Sequence, residues 1–247
     1  MTRANKDELA SLVRGVSVLS LDAGGTVIFL DHTRVARYCK GRGIIVTPAQ
    51  LVVAEGEAKR GLESEGAMVD APFAFHGEPG GAGWGRMIGT LLHVAGVPKK
   101  LLGTLLDGLW REHVQRNLWS LVPAGLGHAL DAVRARGVRV VVVSNSEGML
   151  ERLFDDLGLL SHLDRVVDSG VVGVEKPDPR IFGVALDGTP PEAALHLGDT
   201  FATDVLGARE AGLRSALIDE AGHYAGLHPE VLRVRSVVEV CDALRGV

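Results

Sequence analysis

The chain has 247 residues, of which 46% are hydrophobic and 23% are charged, as in a globular protein with a sizeable core. A net charge of −5 argues against nucleic acid as a partner, because binding to a phosphate backbone favours a basic surface. We expect a cytoplasmic protein with no membrane partner, since there is no signal-peptide pattern and no long apolar run, and Cys39 and Cys241 have no paired spacing.

The first strong pattern is the apolar run at residues 16–21, which predicts a strand buried on both faces of a parallel sheet. Asp22 follows it directly, and Gly24, Gly25 and Thr26 come next. Parallel sheets bind ligands beyond the carboxyl ends of their strands, so Asp22 stands where chemistry is usually done. Taken alone, Asp22 fits either a reactive carboxylate or the cap of a turn.

Residues 32–117 predict helices and no strand. Thr47, Pro48 and Gln50 have the arrangement of a helix N-cap, a first-turn proline and a capping-box partner. The stretch at 65–85 is rich in Gly and Pro and predicts a flexible connection, since no strand precedes its glycines as in a nucleotide loop. We therefore expect 32–117 to be a helical domain inserted into a core formed by 1–31 and 118–247.

From residue 118 onward, strand and helix patterns alternate. The predicted strands lie at 138–145, 165–169, 194–199, 214–219 and near 231–234. Ser236 and Glu239 form a capping-box pattern for the last helix. Such alternation indicates right-handed crossovers and a doubly wound parallel sheet, which is an α/β fold.

Polar residues follow the carboxyl ends of these predicted strands. They are Asp22, Ser144, Asn145, Lys176, Asp199 and Asp204. Singly, each also fits an ordinary turn, helix cap or solvated loop. Because corresponding strand ends converge at one edge of a sheet, the whole set favours a site for phosphoryl transfer.

The acids of this set suit a nucleophile and a metal site. Asp22 is placed to attack phosphorus, which divides a difficult hydrolysis into formation and breakdown of an aspartyl-phosphate. Asp22 and Asp199, with the main-chain carbonyl of Gly24, offer the oxygen ligands that Mg²⁺ prefers. We therefore expect Mg²⁺ as the cofactor.

The remaining residues suit an anion pocket. Ser144 and Asn145, with the free N–H groups of a helix expected to begin near Glu147, form a cradle for phosphate, and Lys176 adds a positive charge. The backbone at Gly24 and Gly25 allows close approach of the substrate. We therefore expect the substrate-binding residues to be Gly24, Gly25, Thr26 and Asn145.

Four segments together carry a family resemblance. In chain order, LSLDAGGTV, VVVSNS, EKPDPRIF and HLGDTFATD resemble the four motifs of the haloacid dehalogenase (HAD) superfamily, and the helical insert resembles its cap. The resemblance implies a Rossmannoid core and a hydrolase. By position it implies a nucleophile, a phosphate ligand, a charge-stabilising lysine and two acids on the magnesium side, which are Asp22, Ser144, Lys176, Asp199 and Asp204.

One position departs from the pattern of the family's phosphatases. They usually have an acid–base aspartate two residues after the nucleophile, where this chain has Gly24. Such a group is typically worth about 10²- to 10⁴-fold in rate. A slow or specialised phosphatase remains open, with a base from the helical insert among Asp31, His32 and His76.

Two other classes stay open for the same reason. Family members that cleave carbon–halogen or carbon–phosphorus bonds also lack that aspartate, and phosphonate cleavage would need a lysine such as Lys40 or Lys59. Retained Asp199 and Asp204 count against dehalogenation, which needs no magnesium. A non-catalytic scaffold is the third class. Our expectation is a magnesium-dependent hydrolase of a small phosphorylated metabolite, present as a monomer or homodimer.

Overall fold

The computed structural model describes residues 4–64 and 66–246. Contacts within the chain divide it into two compact units, one made of Met1–Phe29 and Val122–Val247 and the other of Leu30–Leu121. We call them the sheet unit and the helical unit. Whether they are domains with the predicted boundaries at 32 and 117 stays a prediction.

Strands and helices alternate along the sheet unit, while helices dominate the helical unit. Numbered along the chain, the strands are β1 (Val18–Leu21), β2 (Phe29–Leu30), β3 (Trp119–Leu121), β4 (Arg139–Ser144), β5 (Arg165–Asp168), β6 (Ala194–Gly198), β7 (Arg214–Ile218) and β8 (Arg233–Val234). The α-helices are α1 (Lys6–Val13), α2 (His32–Lys40), α3 (Pro48–Gly61), α4 (Gly81–Val94), α5 (Lys99–Gln115), α6 (Leu126–Arg134), α7 (Leu150–Asp156), α8 (Ser169–Val172), α9 (Pro179–Leu186), α10 (Gly207–Glu210) and α11 (Val237–Arg245). Short 3₁₀ turns and one π-helical segment, Phe201–Leu206, complete the described part of the chain.

The sheet unit is built on a parallel sheet whose strand order, within the described residues, is β5-β4-β1-β6-β7-β8. Val140 to Val143 of β4 are fully buried, as both faces of a parallel sheet require. On one face, Val18, Val141 and Val143 pack with Ile181 and Phe182 of α9. The doubly wound α/β prediction is confirmed.

The strand order places β1 at the centre of this sheet. The chain adds β4 and β5 on one side of β1 and then returns to add β6, β7 and β8 on the other. In open α/β sheets the crevice at such a reversal is where ligands bind. The carboxyl ends of β4, β1 and β6 therefore define the place to look for a site.

The helical unit contains α2 to α5, with β2 and β3 pairing as a separate two-stranded sheet. The predicted start of α3 is confirmed: the Gln50 N–H donates to Thr47 Oγ1 at 3.2 Å, and the Thr47 N–H donates to Gln50 Oε1 at 2.8 Å. Apolar faces of the helices form one buried cluster that includes Trp84, Leu91 and Leu106.

The prediction of a flexible connection is wrong over residues 81–85. These residues form the start of α4, and their glycines allow close packing. A Cβ atom at Gly81 would lie 2.2 Å from the carbonyl oxygen of Phe75, and one at Gly85 would lie 2.8 Å from Cδ1 of Phe73. Among the described residues, no helix combines the length and apolarity needed to cross a membrane.

Candidate active site

Asp22 lies at the reversal point of the sheet, directly after β1. Its N–H donates to the carbonyl of Leu197 on β6 at 2.8 Å, which continues the strand pairing to the start of the loop. Asp199 follows β6 directly, and Ser144 ends β4. The three central strands thus deliver Asp22, Asp199 and Ser144 to the same edge of the sheet, as the sequence predicts.

Three aspartates form a buried carboxylate cluster. One carboxylate oxygen from each of Asp22, Asp199 and Asp204 lies within 4.8 Å of the other two. The exposed fractions of these residues are only 7%, 6% and 1%, respectively. Hard carboxylate oxygens at this spacing fit a magnesium ion, which prefers oxygen ligands.

Lys176 supplies positive charge to this cluster. Its Nζ donates to Asp22 Oδ1 at 2.5 Å and to Asp204 Oδ1 at 2.6 Å. Asn145 holds the lysine's backbone, because its Nδ2 donates to the Lys176 carbonyl at 2.9 Å and its Oδ1 accepts from the Lys176 N–H at 2.7 Å. Asn145 therefore links the end of β4 to Lys176, and its predicted contact with substrate stays a prediction.

Asp204 lies in the π-helical segment, and both of its oxygens accept hydrogen bonds. Oδ2 accepts from the Thr200 N–H at 2.9 Å and from the Thr200 hydroxyl at 2.5 Å. Oδ1 accepts from Lys176 and from His196 Nε2, the latter at 3.4 Å. Gly198 makes room for this arrangement, since a Cβ atom there would lie 2.2 Å from Asp204 Cγ.

Crowding of the carboxylates changes their acidity. Burial, aided by repulsion from Asp204 and Asp199, raises the pKa of Asp22 to about 7, although the Lys176 ammonium acts to lower it. Burial alone would lower the pKa of Lys176, but the carboxylates of Asp204 and Asp22 raise it above its ordinary value. Asp204 shows the opposite balance to Asp22, because Lys176 and His196 outweigh burial and lower its pKa. Lys176 is therefore charged, and a further cation would relieve the repulsion around Asp22.

The expected cradle of free N–H groups after β4 is wrong in part. The helix begins at Leu150 rather than near Glu147, and Asp168 at the end of β5 accepts hydrogen bonds from two N–H groups at this point. Asp168 Oδ1 accepts from the Gly148 N–H and Oδ2 from the Leu150 N–H, each at 3.0 Å. These donors order the loop after Ser144 and are not directed to a ligand.

Asp168 was missed by sequence reasoning, although its position at a strand end is the same signal that marked Asp22. Ser169 extends the same network, since its Oγ accepts from the Ser146 N–H at 3.0 Å. Gly170 permits the two loops to approach, because a Cβ atom there would lie 2.6 Å from the Gly148 nitrogen. The loop that carries Ser144 is thus fixed from β5.

The glycines after Asp22 form a tight turn. Gly25 has a φ of 81°, in the left-handed region, and its N–H donates to the Ile28 carbonyl at 2.7 Å. Gly24 is half-buried. Thr26 is buried, and its hydroxyl makes no hydrogen bond to any other described residue. Substrate contacts at Gly24, Gly25 and Thr26 stay predictions.

A family model for haloacid dehalogenase-like hydrolases matches residues 20–212, which include the end of β1, all of β4 and β6, and the carboxylate cluster. The chain belongs to this family. The haloacid dehalogenase-like hydrolase domain-containing protein 3 from Homo sapiens is 28% identical over 209 residues, covering 82% of each chain. Its namesake from Bos taurus is 33% identical over 146 residues, and the chain spans only 58% of that relative's length. A phosphoserine phosphatase from Thermus thermophilus is 35% identical over 148 residues, or 59% of this chain and 56% of that protein.

Solved structures of other HAD proteins have the same fold. The hydrolase YfnB from Bacillus subtilis, bound to magnesium, matches with a TM-score of 0.62 and 19% identity over 93% of this chain and 98% of its own. The L-2-haloacid dehalogenase from Xanthobacter autotrophicus matches with a TM-score of 0.58 and 17% identity over 94% and 99%. At these identities the likeness concerns the fold alone.

In this HAD-like hydrolase, sequence reasoning also missed two residues inside β1 and β6. Ser20 Oγ lies 2.8 Å from His196 Nδ1, and both residues are completely buried. Burial lowers the pKa of His196, and the Lys176 charge acts in the same direction, although the Asp204 carboxylate acts to raise it. The only signal in the sequence is a histidine within an otherwise apolar strand.

The helical unit of this hydrolase contains its own buried ion cluster. His32 Nε2 and Lys59 Nζ each lie 2.8 Å from a carboxylate oxygen of Glu55. Burial alone would raise the pKa of Glu55, but Lys59 and His32 lower it to about 2. Glu55 was missed, because its partnership with His32 depends on how α2 packs on α3.

The other residues of the helical unit that were predicted as candidates do not belong to this ion cluster. Asp31 caps α2, since its Oδ1 accepts from the Arg34 N–H at 2.8 Å. His76 and Lys40 are exposed. A role for any of these residues as base or Schiff-base lysine stays a prediction.

Proposed function

We propose that this hydrolase is a magnesium-dependent phosphatase that acts on a small phosphorylated metabolite through an aspartyl-phosphate on Asp22. The observation that carries the proposal is the buried cluster of Asp22, Asp199 and Asp204 at the reversal point of the sheet, with Lys176 bound to Asp22 and Asp204. The phosphoserine phosphatase relative supports phosphate esters as the substrate class.

The donor set fits magnesium. Asp22 and Asp199, with the main-chain carbonyl of Gly24, would hold the ion, and Asp204 lies beside them within the cluster. When bound, magnesium supplies the positive charge that offsets repulsion between a phosphate and a carboxylate. The magnesium-bound hydrolase from Bacillus subtilis is consistent with this choice of ion.

The residues of the chain perform the transfer in two steps. An oxygen of Asp22 forms a bond to phosphorus while the bond to the ester oxygen breaks, and water then releases inorganic phosphate from the aspartyl-phosphate. The Lys176 ammonium, 2.5 Å from Asp22, holds the carboxylate in place and offsets charge on the phosphoryl group. Ser144 and the buried Thr26 hydroxyl would donate to phosphate oxygens.

Gly24 determines how the leaving group obtains its proton. With no carboxyl group at this position, we propose that water supplies the proton, so esters with good leaving groups are favoured. This feature also supports carbon–halogen hydrolysis as a second candidate, because a halide leaves without a proton. Phosphonate cleavage is less well supported, since the Lys59 amine forms an ion pair with Glu55.

An assay of product release separates these candidates. Phosphate release from 4-nitrophenyl phosphate and a panel of metabolite esters is measured with MgCl₂ or EDTA, and chloride release from 2-chloropropionate is measured with EDTA. We expect magnesium-dependent phosphate release, and an Asp22→Asn variant should lose at least about 10³-fold in kcat. Asp155→Asn, an exposed position on α7, is the matched control.

The outcomes are distinct. Full activity of Asp22→Asn would falsify the nucleophile assignment. Chloride release in EDTA would contradict the phosphatase proposal and support a dehalogenase. No release from any compound by a folded protein would favour a scaffold.

The partners we propose follow from charge and composition. A net charge of −5 supports a small-molecule substrate over nucleic acid or an anionic membrane surface. Both cysteines are free and buried, which is consistent with the cytoplasm. We propose a monomer or homodimer.

A further inference from the structure

A buried polar pair lies beneath the carboxylate cluster. Ser20 of β1 and His196 of β6 are direct neighbours in the parallel register and are both fully buried. The residues before and after each of them along the strand are leucines, and burying a hydroxyl and an imidazole in a sheet interior costs free energy unless both are hydrogen-bonded. The pair therefore needs a structural or functional reason.

Hydrogen-bond chemistry fixes the tautomer of His196. Its Nε2 faces Asp204 Oδ1, and a carboxylate can only accept, so Nε2 carries the proton. With the ring proton on Nε2, Nδ1 is the acceptor for the Ser20 hydroxyl, which lies 2.8 Å away. Phe182 holds the ring from the side, in an edge contact with centroids 5.0 Å apart and an interplanar angle of 85°.

These contacts close a loop of hydrogen bonds that begins and ends on β1. Ser20 donates to His196, His196 and Lys176 donate to Asp204, and Lys176 donates to Asp22. Residues two apart on a strand share a face, so Ser20 and Asp22 lie on the same side of the sheet. The loop thus joins the nucleophile to a fixed point on its own strand.

We propose that Ser20 and His196 are positioning residues: they fix the Asp204 carboxylate and, through it, hold the Lys176 ammonium against Asp22. This inference rests on the proposed function. Thr200 holds the second oxygen of Asp204, so the histidine is what orients the oxygen shared with Lys176. Without it, Asp204 and Lys176 gain freedom, and the reacting carboxylate is held less well.

The tautomer is tested by NMR, with no need for turnover. Long-range ¹H–¹⁵N spectra of ¹⁵N-labelled protein are recorded, and the His196 signals are assigned from their absence in a His196→Gln variant. We expect the Nε2–H tautomer, and a shift of the His196 Nδ1 resonance in Ser20→Ala. An Nδ1–H tautomer, or a Nδ1 resonance unaffected by Ser20→Ala, overturns the proposal even if the phosphatase assignment holds.

Kinetics with 4-nitrophenyl phosphate test the effect on catalysis. We expect His196→Leu to lower kcat by about 10- to 100-fold with KM little changed, and Ser20→Ala to lower it less, as for residues that orient other groups. His196→Gln keeps an N–H donor at the Nε2 position and should recover part of the loss. Ser215→Ala is the matched control, a buried serine beside His196 in the register whose hydroxyl contacts the Val205 carbonyl.

The kinetic outcomes also distinguish a loss of positioning from a loss of folding. Circular dichroism and Tm establish that each variant is folded. Unchanged kcat in folded His196→Leu, or no advantage of His196→Gln over His196→Leu, contradicts the proposal. If His196→Leu does not fold, Ser20→Ala and its NMR spectrum decide. If the wild type releases no phosphate, the proposed function fails, while the NMR result still stands or falls by itself.

Discussion

The sheet unit and the helical unit each bury a cluster of charged side chains. The two clusters differ in how many carboxylates they contain for each nitrogen group. In the sheet unit, three carboxylates form a cluster, and two of them, from Asp22 and Asp204, contact the ammonium of Lys176. In the helical unit, the single carboxylate of Glu55 lies between His32 and Lys59. Burial, aided by repulsion from Asp204 and Asp199, raises the pKa of Asp22 in the first cluster, whereas Lys59 and His32 outweigh burial and lower that of Glu55 in the second.

This difference separates a binding site from a structural ion pair. Crowded carboxylates repel one another, and a cation or a reaction can use that repulsion. A carboxylate matched by two nitrogen groups has its charge satisfied within the protein. We therefore expect substitutions in the first cluster to change chemistry and those in the second to change stability.

The largest expected effect comes from replacing the lysine of the first cluster by methionine, and the same replacement in the second cluster serves as its comparison. Lys176→Met should lower kcat for 4-nitrophenyl phosphate by about 10³-fold or more, because it removes the cation that contacts Asp22 and Asp204. Lys59→Met should keep kcat and lower Tm, because Lys59 pairs with Glu55. Loss of kcat in folded Lys59→Met would mean that the second cluster also serves chemistry.

Glu55→Gln should be the most destabilising change in the helical unit. It leaves Lys59 and His32 without their shared carboxylate, and breaking a buried pair costs about 3–5 kcal/mol. Urea unfolding of the variant and the wild type measures the difference. Glu57→Gln, two residues along α3 and exposed, is the matched control.

Acid should remove the contribution of the Glu55 carboxylate to the free energy of unfolding of the wild type. The pKa of Glu55 is lowered from 4.5 to about 2, so its stabilisation is complete above pH 4.5 and is lost as the pH falls toward 2. Unfolding free energies measured across this interval should converge for the wild type and Glu55→Gln. Parallel curves would show that folding does not shift the pKa of Glu55.

Within the sheet unit, magnesium binding distinguishes Asp199 from Asp204. The oxygens of Asp204 already accept from Lys176, His196 and Thr200, so Asp204 is the less available ligand. Calorimetric titration with MgCl₂ should show a loss of affinity of about 10- to 100-fold for Asp204→Asn, as for a residue outside the ligand set, and a larger loss for Asp199→Asn. The reverse order would make Asp204 the principal ligand.

The first cluster could be predicted from the sequence, and the second could not. Asp22 and Asp199 each follow a buried apolar strand, and a parallel sheet brings such positions together whatever lies between them. Glu55 has no comparable signal, because its contact with His32 depends on the packing of α2 on α3. His196 lies inside its strand, where a pattern of strand ends does not point. The start of α7 was misplaced, since the sequence before it gives no sign that Asp168, from the next strand, accepts from the Gly148 and Leu150 N–H groups there.

Gly24 offers the smallest effect and the sharpest test of what the first cluster lacks. It is half-buried in the turn after Asp22, where family phosphatases usually have an acid–base aspartate. If proton supply limits the reaction, Gly24→Asp should raise kcat/KM for alkyl phosphates by about 10-fold or more, because general acid help is worth most for poor leaving groups. Gly24→Asn has the same shape but no proton to give, and should not raise the rate. An equal response of both variants would mean that proton supply does not limit the rate. The limiting step would then depend on the first cluster itself and not on the acid that it lacks.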